Sequence, residues 1–467
     1  MARLSRLFRR RFAVLLAPLT LVLVAACTGG GSGGAAPSPS AAGPGPIVIA
    51  SGRDVTGKNG IRQQLIDAWN ERESRADTGY HARLVELPGS ADEQRSQLLG
   101  ALQSGSAAYD VVNLDVTWVP EFAAAALIQP LPKDMIDGDV IESVASTASW
   151  DDEVYAVPFN SDVGLLYYRR DHLEQADIRQ TDLSGGLTQD QLEGLMNTLN
   201  DRRPEDYEKG WTTQLAAYEG RTVNAVEAFA SAGVTLTDED GHYDATVDEL
   251  TQGIAELRRR TDDPYTLRDD DADGGGFGFD EAASLNAFTD GRTAFLRHWP
   301  YAYRTLHQSF DKKQLGVAPL PGRAVLGGQN LAVTATSQRA DKAAELIRFL
   351  TGRESERCLL DAGFAATRRS AYQNDDVRCT VAATTPSASP TGESTDDMPR
   401  KAGRPAYAEK ILLPALEDAV QRPRTPLYGA FTQTFTAKLG PLFAQSPPTD
   451  TALAQSLDEA LRKALPD

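Results

Sequence analysis

The sequence predicts an α/β fold of two lobes, with the chain passing between them more than once. Three observations predict it. Strand and helix patterns alternate from Pro46 to Leu114, which is how a mostly parallel sheet is built. The middle of the chain is helical, with patterns at Gln191–Asn200, Leu215–Ala232 and Val247–Arg260. Strand signals then return at Gln314–Ala318 and Leu331–Thr334. A chain of 467 residues is long enough for two domains of ~100–200 residues each.

Ahead of the folded body stands a targeting segment. Arg3, Arg6, Arg9, Arg10 and Arg11 are followed by the apolar run Phe12–Ala26, shorter than the ~20 residues of a comfortable membrane span. The run ends in Val24-Ala25-Ala26-Cys27, which resembles the bacterial lipobox. That resemblance implies cleavage before Cys27 and diacylglyceryl modification of its thiol. An ordinary secretory signal with a chance cysteine is the alternative. Residues 1–26 are thus read as a lipoprotein signal peptide and 27–46 as a lipidated cysteine with a flexible Gly-, Ser- and Pro-rich tether. A Gly30-x-Ser32-x-Gly34 match to a nucleophile elbow falls in the tether, where no strand precedes it and no helix follows.

The body then reads in order. Pro46–Ala50 is a buried-type strand, Ile61, Leu65, Ala68 and Trp69 recur at helical spacing, and His81–Leu87 is a second strand. A helix ends at Gly105, and Tyr109–Leu114 is the third strand. Ligands collect at the carboxyl ends of such strands, here Ser51–Thr56, which includes Asp54, and Asp115–Trp118. Asp341–Leu350 and Thr451–Leu465 are amphipathic helices, and Thr380–Gly403 is a mobile loop by composition. The lobes divide as 47–160, mainly N-terminal; 161–310, mainly C-terminal; and 311–467, shared.

Charge and cysteine content narrow the function. A net charge of −18 argues against a nucleic-acid face and is compatible with a neutral or cationic ligand. Beyond Cys27 the chain has Cys358 and Cys379. Outside the cytoplasm such a pair reads as a disulfide. Its loop of roughly 20 residues is worth about 3 kcal/mol in the chain-entropy model.

No HExxH, CxxC or Walker loop is present, and no cofactor is implied. The acidic loop Arg268–Asp280 lacks the ligand spacing of an EF-hand. Asp115, Asp162 and Glu219 could serve a glycosidase, but sequence does not give their separation. They could equally accept hydroxyl hydrogen bonds without any reaction. Trp299, Tyr301 and Tyr303 cluster beside Pro300, as either core packing or flat faces for a sugar.

Several longer elements occur in order: "YDVVNLDVTWVPEFAAAALIQPL", "YAVPFNSDVGLLYYRRDHL", "FTDGRTAFLRHWPYAY", "LGGQNLAVTATSQRADKAAELIRFLTGRESERCLLDAGFAATRRSAY" and "RPRTPLYGAF", with "QLAAYEGRTVNAVEAF" carrying Glu219. Together they resemble the extracellular solute-binding lipoproteins of carbohydrate ABC importers, nearest to trehalose and maltose binders. The resemblance implies a periplasmic-binding-protein-like fold with a hinge and an interlobe ligand cleft. It also implies a di- or oligosaccharide ligand such as an α-glucoside, permease partners, a monomer anchored on the outer face of the membrane, and no enzyme activity. By resemblance Asp115, Asp162, Glu219, Trp299, Gly328 and Arg368 match contact positions. Asp54, Trp118, Asn160, Tyr218, Tyr301 and Gly327 join them as neighbours. Asp115 and Asp162 would accept sugar hydroxyls, Trp299 would stack, Gly328 would admit close backbone approach and Arg368 would donate to ligand oxygens. Thr213 stands where the family usually has Trp, which leaves the sugar open. A surface glycoside hydrolase and a carrier of a non-sugar solute are the alternatives.

Overall fold

The computed structural model describes residues 43–53, 60–238, 240–261, 264–268, 278–381, 394–401, 403–444 and 446–465. The signal segment, Cys27, most of the tether, Asp54 and most of the acidic loop lie outside the described residues.

Two sheets form the framework. Strands β1 (Pro46–Gly52), β2 (His81–Leu87) and β3 (Val111–Asp115) run parallel. Between them lie the helices Ile61–Arg75 and Ala91–Gln103, as the alternating pattern predicts. Ser90 and Glu93 close a capping box at the start of the second helix. A short hairpin, β4 (Ser149–Trp150) and β5 (Glu153–Val154), precedes β6 (Val157–Val163). Strands β7 (Leu165–Arg169), β8 (Lys209–Thr212), β9 (Thr293–His298), β10 (Leu315–Pro319) and β11 (Leu326–Val333) follow. The first sheet has the order β2-β1-β3-β11-β6 and the second β10-β7-β9-β8.

In the first sheet the parallel expectation holds for β1–β3, and in the second sheet β8 pairs in parallel with β9. Strand β11 enters the first sheet antiparallel to both β3 and β6, and β7 is antiparallel to both its neighbours. This follows from the late return of the chain: β11 arrives from the second lobe and does not complete a β-helix-β unit.

Strand β7 explains the apolar run "LLYY". Leu165 and Tyr167 pack into one core while Leu166 and Tyr168 pack into another, on the opposite face. A strand covered on both faces needs no polar alternation.

Among the described residues, three passages join the lobes. Gly164 alone separates β6 of the first sheet from β7 of the second. The second passage runs from β10 to β11 through Val325. The third lies beside it: Val420 N donates to Ala324 O at 2.9 Å and Leu326 N to Val420 O at 2.7 Å. Beyond the third passage, the helices Tyr428–Leu439 and Asp450–Ala464 pack with Glu219–Ser231 and Val247–Arg260.

Cys358 and Cys379 are disulfide-bonded, tying the helix Arg353–Asp361 to the segment behind it. Residues 382–393 of the composition-defined loop lie outside the described residues. The stretch after them is packed: Met398 is buried, Tyr303 Oη donates to Asp396, and Thr395 bridges to Pro405. Among the described residues no helix is long and apolar enough to cross a membrane.

Candidate functional site

Asp115 ends β3, and its carboxylate is turned by its own loop. Oδ1 accepts from Thr117 N at 2.9 Å and Thr117 Oγ1 at 2.7 Å. The same oxygen accepts from Arg422 Nη2 at 2.8 Å. Arg422 stands just past the third passage and spans to the other lobe, where Nη1 donates to Glu219 Oε1 at 2.6 Å. Glu219 opens the helix Glu219–Ser231. It also accepts from Tyr428 Oη and, at 2.7 Å, from Thr432 Oγ1. Burial raises the pKa of Asp92, on a first-lobe helix, against the pull of the Glu219 backbone amide. Burial pulls the Arg422 pKa down, but Asp115, Tyr428 and Glu219 outweigh it and hold the guanidinium charged.

Asp162 lies two residues before the Gly164 passage, on β6 opposite Gly327 of β11. Its Oδ1 is covered and, among the described residues, has no hydrogen-bond partner. Burial pushes its pKa up to about 7, against the pull of Arg62, Arg297 and Arg422 and with a further push from Asp115. An acceptor so placed is suited to a donor that arrives with a ligand. Trp299 is half-buried beside it. The edge of its ring packs where Gly327 leaves room, 3.2 Å from the position a Cβ would take, and Arg297 lies over its face at 4.0 Å. Tyr301 packs edge-on to His298, with ring centroids 5.1 Å apart.

The structure therefore groups Asp115 and Glu219 through Arg422, and sets Asp162, Gly327 and Trp299 together beside them. Other residues singled out from sequence have different surroundings. Trp118 is 5% exposed and belongs to the core under the first sheet. Asn160 is buried, and its Oδ1 accepts from Arg62 Nη2 at 3.3 Å. Tyr218 donates to Glu281 Oε2 at 2.7 Å. At Gly328, φ is +114° and a Cβ would lie 2.4 Å from Asn160 O, so the close approach it permits is that of β6. Arg368 is buried away from this group, donating to Thr351 O and Asp137 Oδ1, both at 2.7 Å. Thr213 is buried, with its hydroxyl donating to Asn224 Oδ1.

Sequence reading missed Arg422 as a site residue. It opens the quoted element "RPRTPLYGAF", directly ahead of Pro423, so the signal was present without an assigned role. Arg62 and Arg297 were given no role in the sequence; among their partners are Asn160, 98 residues from Arg62, and Glu227, 70 residues from Arg297.

Comparison with known proteins agrees with this architecture. A Deinococcus radiodurans protein described as a "probable ABC transporter-binding protein" is 27% identical over 328 residues, covering 67% of this chain and 73% of its own. Maltose-bound MalE3 of T. maritima superimposes with a TM-score of 0.71 at 22% identity, covering 90% of this chain and 100% of its own. The GacH receptor of Streptomyces glaucescens, solved unliganded and with acarbose, gives 0.70 at 20% identity, covering 91% and 99%. These structures share the two-lobed fold. Residues 64–385, more than half of the chain, match the family model described as bacterial extracellular solute-binding protein, and the chain belongs to that family.

Proposed function

We propose that the protein is the sugar-binding component of an ABC importer, taking a di- or oligosaccharide of the α-glucoside class between its lobes and delivering it to a membrane permease. The observation that carries this reading is the meeting of Asp115, Asp162 and Glu219 with Arg422 and the Trp299 ring where the two lobes face one another. Carboxylates and a guanidinium match the acceptors and donors of a polyol, and an indole face matches the C–H face of a pyranose. Relatives of this fold were solved with maltose and with acarbose. A ligand touching both lobes gains contacts in the closed form, so binding shifts the hinge equilibrium. No bond need be broken, and Asp115 and Glu219 are already committed to Arg422.

Asp115, Asp162, Glu219, Trp299, Tyr301 and Gly327 are the proposed ligand-facing residues, joined by Arg422. We further read Cys27 as the lipidated anchor that keeps a monomeric carrier at the outer face of the membrane. Two chains on one cysteine would hold stably where one would not. Intact-mass analysis of the protein from producing cells, with and without globomycin, an inhibitor of lipoprotein signal-peptide cleavage, tests the anchor. A mature chain beginning at diacylated Cys27 is expected without the inhibitor and an uncleaved diacylated precursor with it; an unlipidated mature chain contradicts the reading.

A further inference from the structure

We propose that Arg297 is a positioning residue for stacking on Trp299, and that through Glu227 it fixes that ring to two of the passages between the lobes. This rests on the reading of the cleft as a sugar site.

Arg297 and Glu227 are an ion pair inside the protein, with side chains 0% and 2% exposed. Nε donates to Glu227 Oε2 at 3.0 Å and Nη2 to Oε1 at 2.6 Å. Gln214 holds the remaining edge: its Oε1 accepts from Nη1 at 3.3 Å, and its Nε2 donates to Arg297 O at 3.0 Å. The guanidinium is thus held from Nε, Nη1 and Nη2, and against its face lies the Trp299 ring, 4.0 Å to its centroid. A planar, multiply held guanidinium is a stiff support for an indole. The Trp299 carbonyl accepts from Tyr167 Oη at 3.1 Å, and Gly327 borders the ring edge. Arg297 takes one face of the half-buried ring, and the pyranose is assigned to the opposite face.

The same ion pair touches two passages. Glu227 Oε1 accepts from Val325 N at 3.1 Å, at the head of β11. Gly164 lies directly against the pair: a Cβ there would fall 2.3 Å from Glu227 Oε1 and 2.9 Å from Arg297 Nη2. A shift of either passage during opening displaces Glu227, and with it Arg297 and the plane of the ring. Trp299 is in register for stacking only in one arrangement of the passages, so a stacked ligand favours that arrangement.

Two variants test this without touching a ligand-facing group. Arg297→Met with Glu227→Gln removes both charges and keeps an acceptor for Val325 N; neutral replacement of a buried pair is commonly tolerated. Gly164→Ala leaves both pair residues in place and crowds them. Each is examined by thermal melting, by tryptophan emission corrected with Trp299→Phe, and by calorimetry with maltose, trehalose and maltotetraose. Folded variants with altered Trp299 emission, and at least tenfold weaker binding of whichever sugar the wild type takes, are expected. Should Arg297→Met with Glu227→Gln fail to fold, Gly164→Ala decides alone. Wild-type emission together with wild-type affinity in folded variants overturns the positioning role and leaves the sugar reading standing. Altered emission in a protein whose wild type binds none of the three sugars supports the held ring and overturns the ligand.

Discussion

Arg422 joins Asp115 to Glu219, with Nη2 2.8 Å from Asp115 Oδ1 and Nη1 2.6 Å from Glu219 Oε1. One carboxylate ends a strand of the first sheet and the other opens a helix of the second lobe, so the guanidinium is a clasp between them. Removing one partner of a buried ion pair leaves the others uncompensated and costs roughly 3–5 kcal/mol. Arg422→Met is expected to lose stability on that scale in urea unfolding, and to bind sugar weakly. Arg422→Lys keeps the charge but lacks the fork that reaches both carboxylates, and should fall between. A wild-type unfolding midpoint for Arg422→Met would contradict the clasp.

Asp162 makes stability and binding depend on pH in opposite senses. Its folded pKa is raised from 3.8 to about 7 by burial. Between those values the folded protein keeps a proton that the unfolded chain has released, so this group's contribution to stability falls as pH rises. Asp162→Asn removes that contribution, and its melting temperature should decline less than wild type's between pH 4.5 and 7, on the order of the window named. A ligand hydroxyl donating to Asp162 favours the ionised form, so sugar affinity should weaken as pH drops below about 7. Calorimetry across that interval checks the sign, and Asp162→Asn should flatten the profile.

Gly328 is held at φ +114° with a neighbouring backbone oxygen 2.4 Å from where a Cβ would stand. Backbone strain of this kind costs about 1–3 kcal/mol, before the clash is relieved. Gly328→Ala should therefore lower the melting temperature clearly. An unchanged melt would show that β6 and β11 can separate at no cost.

Arg368 separates structural from ligand-binding arginines. With Thr351 and Asp137 as partners, Arg368→Ala should unfold more readily and, at temperatures where it is folded, bind sugar as the wild type does. A large loss of affinity in a fully folded variant would return Arg368 to the cleft.

Much of this was legible in the sequence, for reasons that differ by element. β2 and the helix Val247–Arg260 have the predicted bounds because their periodicity is local. The places of Asp115 and Asp162 at the ends of strands β3 and β6 were legible because the strand patterns are local. Arg368 was not, since an arginine next to a loop looks alike whether it faces a ligand or a backbone carbonyl. Arg422 acquires its role from two carboxylates 307 and 203 residues away, a juxtaposition no local window contains. Trp118 and Asn160 were drawn toward the site by position in the chain, whereas packing under the sheet and the Arg62 contact take up their side chains.

The most direct test of the account is a calorimetric titration of the purified protein with maltose, trehalose and maltotetraose, with the cell contents then assayed for glucose. Saturable binding of at least one sugar at one per chain, lost or greatly weakened in Asp162→Ala and Trp299→Ala, with no glucose released, is the predicted result. Absence of binding by any of the three sugars, or release of glucose, would contradict it.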